Sequence, residues 1–573
     1  MGSRRGSTRE EWGRAPWSLP VFVASLVLVA VIRVGVVLNR AIDPDESQHL
    51  HTAWQVALGW VPYRDFWEHH MPAFYYLAAP LTRRFTDSPT VYLAGRTLMT
   101  AAATLALVLT WRLARRLGIP TAAGAVATLA LLPQFTETTT ETRPDPLALV
   151  AWLLALLAVL RWGESRRSAW LGAAGFALGL GLAFSLKLVY GVGAVGLIVS
   201  ILAWLGRRDD PSGRRGGTRV KIVATPLTVF VAGVSLALAG TLAWVGAAGG
   251  SSALRAMVSD VVVDSWRFVD FAKARPVFGS EIGFLLLAAV GIGLTLARTG
   301  RGITRDAYHL PLLGSLALVG GALYLPHTPA VYQHAWLPVL PILAVYAGLA
   351  LARLFDWARE SGRPVPVALA TLAVLGGLVL PAGESASYAL RDQLSGSVRL
   401  MRAELDAACP GEPIIDGTAL AVFRPSAHRF GVLITGIREW IARGRIAEEV
   451  VEGDLRVARA PVAHIDKRLR GLVGPVADFL AAHYVPADDG LLVAGVRIRA
   501  EGGGPPRPVP ADVLVSGPYR LTASPGIEVS IDGRPARRGV RRLVAGRHEV
   551  TWTGPPGRIE LALLGCAERA LFP

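Results

Sequence analysis

IDPDESQHLHTAWQVALGWVPYRDFWEHHMPAFYYL, residues 42–77, follows directly on an apolar run at 19–38. A run of that length crosses a bilayer. The stretch behind it gathers Asp43, Asp45, Glu46, His49, His51, Asp65, Glu68, His69 and His70. Ionisable groups are costly to keep dry, so a set of them delivered to one membrane surface marks chemistry or transport. Working outward, apolar runs recur near 91–113, 121–133, 147–160, 169–186, 188–205, 222–245, 282–296, 310–325, 336–351 and 365–380. The pattern predicts a mainly α, polytopic transmembrane helical bundle of about 11 spans.

Composition agrees. Of 573 residues, 52% are hydrophobic and 18% charged, and mean hydropathy is +0.41. That balance describes a membrane protein with a water-exposed part rather than a soluble domain. The formal net charge is +16 and the pI about 10.4. The arginines cluster between apolar runs, at 112–118, 161–167, 206–221, 298–305 and 353–363. Short cytoplasmic loops carry such an excess, so these loops and the basic N-terminus are expected in the cytoplasm. With no recognition motif or basic groove pattern, nucleic acid is excluded as a partner. The first apolar run is too long for a cleavable signal and reads as a retained anchor. The loops holding Asp45, Asp145 and His334 then share the opposite, extracytoplasmic face.

After Pro381 apolar runs shorten and charge rises. The expected organisation is a transmembrane domain at 1–381, a small extracytoplasmic α/β unit at 382–500, and a linker with a small β-sandwich at 501–573. Helices are expected at 397–408 and 476–483, and strands at 413–416 and 490–498. In the last part, alternation at Ile527, Val529 and Ile531 leads into an Asp532-Gly533 turn, and an Ala545-Gly546 turn precedes His548, Val550 and Trp552. This pattern resembles a PEGA-like module. The two cysteines, Cys409 and Cys566, would pair in an oxidising compartment or stand as isolated small hydrophobes. No residue in the α/β unit declares a chemistry.

Asp45-Glu46 reads as a helix N-terminus or as a catalytic carboxylate pair. In company it says more. Gly59-x-x-Pro62, Asp65-x-x-Glu68-x-x-x-Pro72, the aromatics Phe74, Tyr75 and Tyr76, Arg143-Pro144-Asp145, and Pro326-His327 to Gln333-His334 before Leu337-Pro338 and Pro341 follow in order. Over roughly the first 350 residues this set resembles the GT-C glycosyltransferases, in the branch of the protein O-mannosyltransferases and the lipid A aminoarabinose transferase. The resemblance implies a hexosyl- or pentosyltransferase using a polyprenyl-phosphate sugar donor. The acceptor would be a hydroxyl of a lipid, glycan or protein at the extracytoplasmic membrane face, with inversion at the sugar. Asp45 would be the general base, with Glu46 and Asp145 orienting the acceptor. A hydroxyl needs such a base at neutral pH, and the departing lipid phosphate needs positive charge or hydrogen-bond donors.

Where related enzymes carry a basic residue, often lysine before two prolines, this chain has Glu68-His69-His70-Met71-Pro72. His69, His70, Lys187 and His334 are therefore the expected ligands of donor phosphate. Glu68 with His334 is a candidate site for a divalent metal, zinc by its imidazole or magnesium or manganese by its carboxylate. A metal-free hydrogen-bond network is the other reading. Adjacent histidines diverge on a helix, so one at most would join Glu68. Lys187 alternatively snorkels to the interface, and Arg143 with Asp145 alternatively forms a helix-end pair. Trp54, Trp60 and Trp67 read as an interfacial belt. Arg255, Arg267, Asp270, Lys273 and Arg275 read as a solvated amphipathic stretch.

Two rivals remain. A transporter or flippase of lipid-linked sugars needs repeated halves and midplane charges, and neither is visible. A polysaccharide ligase or polymerase fits the compact Asp-Glu loop less well. The expected location is a bacterial inner membrane, among whose lipids the donor also resides.

Overall fold

Backbone N–H and C=O groups find no water in hydrocarbon, so apolar runs of this kind must become helices. The computed structural model describes residues 19–208, 219–263, 281–300, 302, 306–324, 333–501 and 508–572. Among these, seven helices are long and apolar enough to cross a membrane. The 21-residue helix Leu19–Asn39 and the shorter apolar helices Ile119–Leu131, Ala169–Phe184 and His309–Leu323 fall on the remaining expected spans.

The chain divides into two units. The first comprises Met1–Arg40, Glu68–Ala78 and Tyr92–Gln393, and the second Ala41–Trp67, Ala79–Val91 and Leu394–Pro573. The boundary expected at 381 therefore shifts to 393. Pro381 follows the π-helical turn Leu375–Val379 within continuous helical backbone, a local distortion that accommodates the hydrogen bond proline cannot make, so it does not end the membrane unit.

In the first unit, helices meet through small residues because apolar lipid offers no hydrophobic drive for their association. A methyl group on Gly175 would overlap the Phe230 carbonyl, and one on Gly348 would overlap the Thr121 carbonyl. These glycines seat Ala169–Phe184 against Arg219–Met257, and Leu340–Ser361 against Ile119–Leu131. Val27, Val31 and Val34 on Leu19–Asn39 stay exposed, as a lipid-facing stripe does. The end of that helix is held by Arg96, fully buried. Its guanidinium donates to the Val37 carbonyl at 3.0 Å and the Arg40 carbonyl at 2.9 Å, satisfying acceptors that a helix end leaves open.

The second unit holds the helix Leu394–Ala407, β1 (Ile414–Asp416), the helices Thr435–Ala442 and Glu448–Ala458, β2 (Val462–His464) and the helix Pro475–His483. There follow β3 (Tyr484–Pro486), β4 (Leu491–Ala500), β5 (Val509–Val513), β6 (Gly517–Ala523), β7 (Glu528–Ile531), β8 (Arg534–Ala536), β9 (Gly539–Leu543), β10 (Gly546–Thr553) and β11 (Gly557–Leu563). The expected helices and strands are all present. One sheet runs β1-β2-β4-β11-β6-β9 with β3 also on β4, and a second runs β5-β10-β7-β8. β1 and β2 are parallel, with Asp416 opposite His464.

Two details differ from expectation. The split at 501 does not separate two folded bodies: β4 pairs with β11 along Gly557↔Ala500 to Ala562↔Gly495, so one sheet crosses it. The Ala545-Gly546 turn is not a hairpin. β9 pairs with β6 and β10 with β5 and β7, so the turn carries the chain from one sheet to the other. Asp532 (φ 52°) and Gly533 (φ 72°) do make the tight β7–β8 turn, as two left-handed residues must. Tyr519, Leu521, Ile559 and Leu561 share a core with Val513 and Val550. Cys409 and Cys566 form a disulfide with a Cα–Cα distance of 5.0 Å.

Candidate active site

Asp43 caps the helix Pro44–Ala57. Its carboxylate accepts the Asp45 N–H at 2.9 Å, and Glu46 Oε2 reaches back to the Asp43 N–H at 3.1 Å. This is a capping box with proline in the first turn. Glu46 is fully buried. It applies a carboxylate oxygen to the helix end. Asp45 faces elsewhere: its carboxylate, 34% exposed, lies 3.1 Å from Arg468 Nη2. That partner is 423 residues away in sequence, and no local signal announced it.

Downstream, the chain turns on itself. Gly59 takes φ +93° and Tyr63 φ 67°. Asp65 accepts the Val61 N–H at 2.7 Å and pairs with Arg64 at 2.7 Å. The Arg64 hydrogen bond holds the Asp65 carboxyl below the usual range. Asp65 thus closes the expected Gly59-x-x-Pro62 turn. His51 Nδ1 lies 2.7 Å from the Val422 carbonyl.

In the first unit, Asp145 ends a buried relay of alternating charge. Arg40 Nη1 meets Glu141 Oε1 at 2.5 Å. Glu141 Oε2 meets Arg143 Nη1 at 2.5 Å. Arg143 Nε meets Asp145 Oδ2 at 3.0 Å, and Lys187 Nζ meets Asp145 Oδ1 at 2.8 Å. Glu141, Arg143 and Asp145 are 5–6% exposed. The local sequence explains the bend that gathers them. The Thr138, Thr139 and Thr140 hydroxyls donate to carbonyls four residues back, a habit that weakens a helix's own ladder. Asp145 then opens the helix Asp145–Ser165 with Pro146 behind it, a carboxylate where the helix dipole favours one. The alternative of a helix cap with an Arg–Asp surface pair is met only in part: the pair forms, but buried and without a side-chain cap. Lys187, in the short turn Leu186–Leu188, binds Asp145 instead of snorkelling. His334, in Gln333–Trp336 and 8% exposed, lies close enough for its charge to act on Asp145.

Glu68, His69 and His70 come together in the same unit. Glu68 Oε1 accepts the His69 N–H at 2.8 Å and the His70 N–H at 3.0 Å, and lies 2.9 Å from His70 Nδ1. His69 Nδ1 is 3.4 Å away. One ligand-type atom from each falls within 4.8 Å of the others. The expected divergence of the two imidazoles is corrected here, since residues 68–70 are not helical. Pro72 disfavours helical backbone at the residue before it, and the helix starts at Ala73. Among the described residues, the first-unit cluster of ligand-type atoms is Glu68 with His69 and His70.

Glu281 had drawn no notice in the sequence. It is 5% exposed, accepts the Gln134 N–H at 3.0 Å, and burial pushes its carboxyl up to about 7. Arg267, Asp270, Lys273, Arg275, Pro326, His327, the linker at 502–507 and the arginines at 209–218 lie outside the described residues.

Residues 68–214 match the family model described as dolichyl-phosphate-mannose-protein mannosyltransferase. That window contains Glu68, His69, His70, Asp145 and Lys187. Among solved structures, the chain is similar to ArnT from Cupriavidus metallidurans bound to undecaprenyl phosphate. Identity is 13%, coverage 83% of this chain and 97% of that one, and the TM-score 0.54. The apo state of the same protein gives 14%, 83%, 97% and 0.52. An oligosaccharyltransferase from Archaeoglobus fulgidus, in complex with Zn and sulfate, gives 15%, 82%, 72% and 0.47. No curated protein matches the sequence. At these identities the likeness to solved structures is one of fold.

Proposed function

We infer that this chain, a multi-pass membrane glycosyltransferase of the GT-C superfamily, moves a hexose or pentose from a polyprenyl-phosphate donor to an acceptor hydroxyl with inversion. The lipid held by the Cupriavidus relative, undecaprenyl phosphate, supports the donor class. The acceptor is a lipid, glycan or protein. Asp45 is the general base. What supports this role most is the capping box: Asp43 and Glu46 close the helix, so the Asp45 carboxylate is not needed there and stays partly exposed. Glu46 fixes the backbone that aims it.

His69, His70 and His334 supply donors or positive charge to the phosphate as it departs. Lys187 joins them by exchanging its Asp145 partner for a phosphate oxygen, a like-for-like replacement of one anion by another. Asp145 orients the acceptor and tethers Lys187 between turnovers. Glu68, His69 and His70 form a donor set of one carboxylate and two imidazoles that suits a zinc-type ion. Such an ion would add positive charge beside the phosphate.

The Arg-rich loops favour a cytoplasmic N-terminus in a bacterial inner membrane. The Cys409–Cys566 disulfide favours an oxidising, extracytoplasmic setting for the second unit. Purified protein in detergent, offered undecaprenyl-phosphate-linked hexoses and pentoses with candidate acceptors, should release undecaprenyl phosphate with at least one. Failure to consume any donor, together with movement of intact donor across protein-loaded vesicles, would replace the transferase by a flippase.

A further inference from the structure

A second group of ligand-type side chains lies entirely within the second unit and shares no residue with those assigned above. Glu404 comes from the helix Leu394–Ala407, Asp416 from the end of β1 and His464 from the end of β2. The parallel register sets Asp416 directly opposite His464. One ligand-type atom from each lies within 4.8 Å of the others. Asp466, two residues past His464, adds a third carboxylate.

Glu404 is fully buried, and neither of its carboxylate oxygens receives an aligned hydrogen bond. Its Oε1 is nevertheless 2.7 Å from His464 Nδ1, which also lacks an aligned bond. Such a buried pair can be bridged by a proton or by a cation between its members. Asp466 Oδ1 accepts the Arg468 and Leu469 N–H groups at 2.7 Å each, and its carboxyl faces that of Asp416. Asp416 is held rigidly, accepting from Thr418 N–H at 2.6 Å, Thr418 Oγ1 at 2.8 Å and Leu420 N–H at 2.6 Å.

Three buried carboxylates against one imidazole carry excess negative charge, which an interior does not tolerate without a cation or a proton. Ligand atoms around a divalent ion at about 2.0–2.2 Å stand about 3–4.5 Å from one another; the 2.7 Å Glu404–His464 approach would open slightly to admit one. An imidazole among oxygens favours a first-row transition ion over calcium or magnesium.

We propose that Glu404, Asp416 and His464, with Asp466 beside them, form a structural binding site for a divalent zinc- or manganese-type ion. The ion joins the helix Leu394–Ala407 to the parallel pair β1–β2. It also steadies the turn whose Arg468 reaches Asp45, so it locks the geometry of that pairing without touching substrate.

The test uses the full chain in detergent. Wild type stripped with EDTA and reloaded with zinc chloride or manganese chloride should regain a tightly held equivalent that survives desalting, with a higher melting temperature. The Glu68→Gln/His69→Gln/His70→Gln variant should keep that equivalent, and Glu404→Gln/His464→Gln should lose it. Should the latter variant not fold, X-ray absorption on the zinc-loaded Glu68→Gln/His69→Gln/His70→Gln protein decides. One imidazole among oxygen ligands supports the site. A wild type that holds no zinc or manganese and melts unchanged in EDTA would overturn it and assign the cluster to carboxyls sharing a proton. Retention of the equivalent by folded Glu404→Gln/His464→Gln that also carries Glu68→Gln/His69→Gln/His70→Gln would overturn it too.

Discussion

Replacing Asp45 by asparagine separates chemistry from architecture. The substitution keeps shape and hydrogen-bonding capacity, and removes the charge and the basic oxygen. Its structural cost follows from the pair with Arg468. Unit charges 3.1 Å apart attract by about 5 kcal/mol at an effective dielectric of about 20. The carboxylate is 34% exposed, and water at such a surface reduces the net value to about 1 kcal/mol. The melting temperature should therefore fall by only about 2–4 °C. The capping box is untouched, so the helix Pro44–Ala57 should persist. The chemical cost is larger, because loss of a general base slows transfer by about 10²–10⁴-fold, or about 3–5 kcal/mol of barrier. Single-turnover transfer from a labelled polyprenyl-phosphate donor measures this directly. Arg468→Met removes the same ion pair without the base, so it should match the stability loss and spare most of the rate. Glu46→Gln keeps the acceptor that closes the helix and should also lose less rate than Asp45→Asn. Asp45→Asn protein transferring at the wild-type rate would refute the assignment of the base.

Three further outcomes are expected. Lys187→Met leaves the buried Asp145 without its nearest cation, with Arg143 and His334 still beside it. It should cost about 1–3 kcal/mol in detergent unfolding, discounted because Lys187 is 32% exposed, and adding Asp145→Asn should recover part of that loss; no recovery would mean the two do not act as a pair. Replacing Cys409 and Cys566 by serine removes a cross-link spanning 157 residues. Chain entropy sets its worth at about 5 kcal/mol, to be read as a drop in the denaturant midpoint of the second unit's transition. Glu281, with its carboxyl raised from 4.5 to about 7 by burial, binds its proton more tightly folded than unfolded. Its stabilising contribution is complete below pH 4.5 and is lost as pH rises through 7, about 3 kcal/mol in all. Glu281→Gln should flatten that part of the stability–pH curve and make the protein more stable at pH 8; an unchanged curve would exclude Glu281 as its source.

The sequence was most legible where one strong force acts on each segment alone. Hydrocarbon forces helices, so the apolar runs named their own positions, down to the short ones such as Ile119–Leu131. The period-2 pattern at Ile527, Val529 and Ile531 was equally local. Legibility failed where partners are distant. Nothing near Asp45 points to Arg468, and nothing around Glu404 points to a strand end at Asp416 and another at His464, because only the β1–β2 pairing unites them. Lys187 was misread because snorkelling and ion pairing look alike until the turn at Thr138–Thr140 brings Asp145 beside it. The two histidines were misread by assuming helix ahead of Pro72. The roles of Asp45, Glu46 and Asp145 came from a resemblance, and the structure adds what holds each carboxylate.

The course of β11 constrains how the protein can be made. It lies between β4 and β6, yet it is synthesised after both. Until residues 557–563 leave the ribosome, β4 presents a bare edge to its surroundings, and bare edges recruit other chains. The stretch from β4 to β11 must therefore wait, shielded or soluble, through the making of six intervening strands and only then close. A cell that produces this protein has reason to keep a chaperone where that tail emerges.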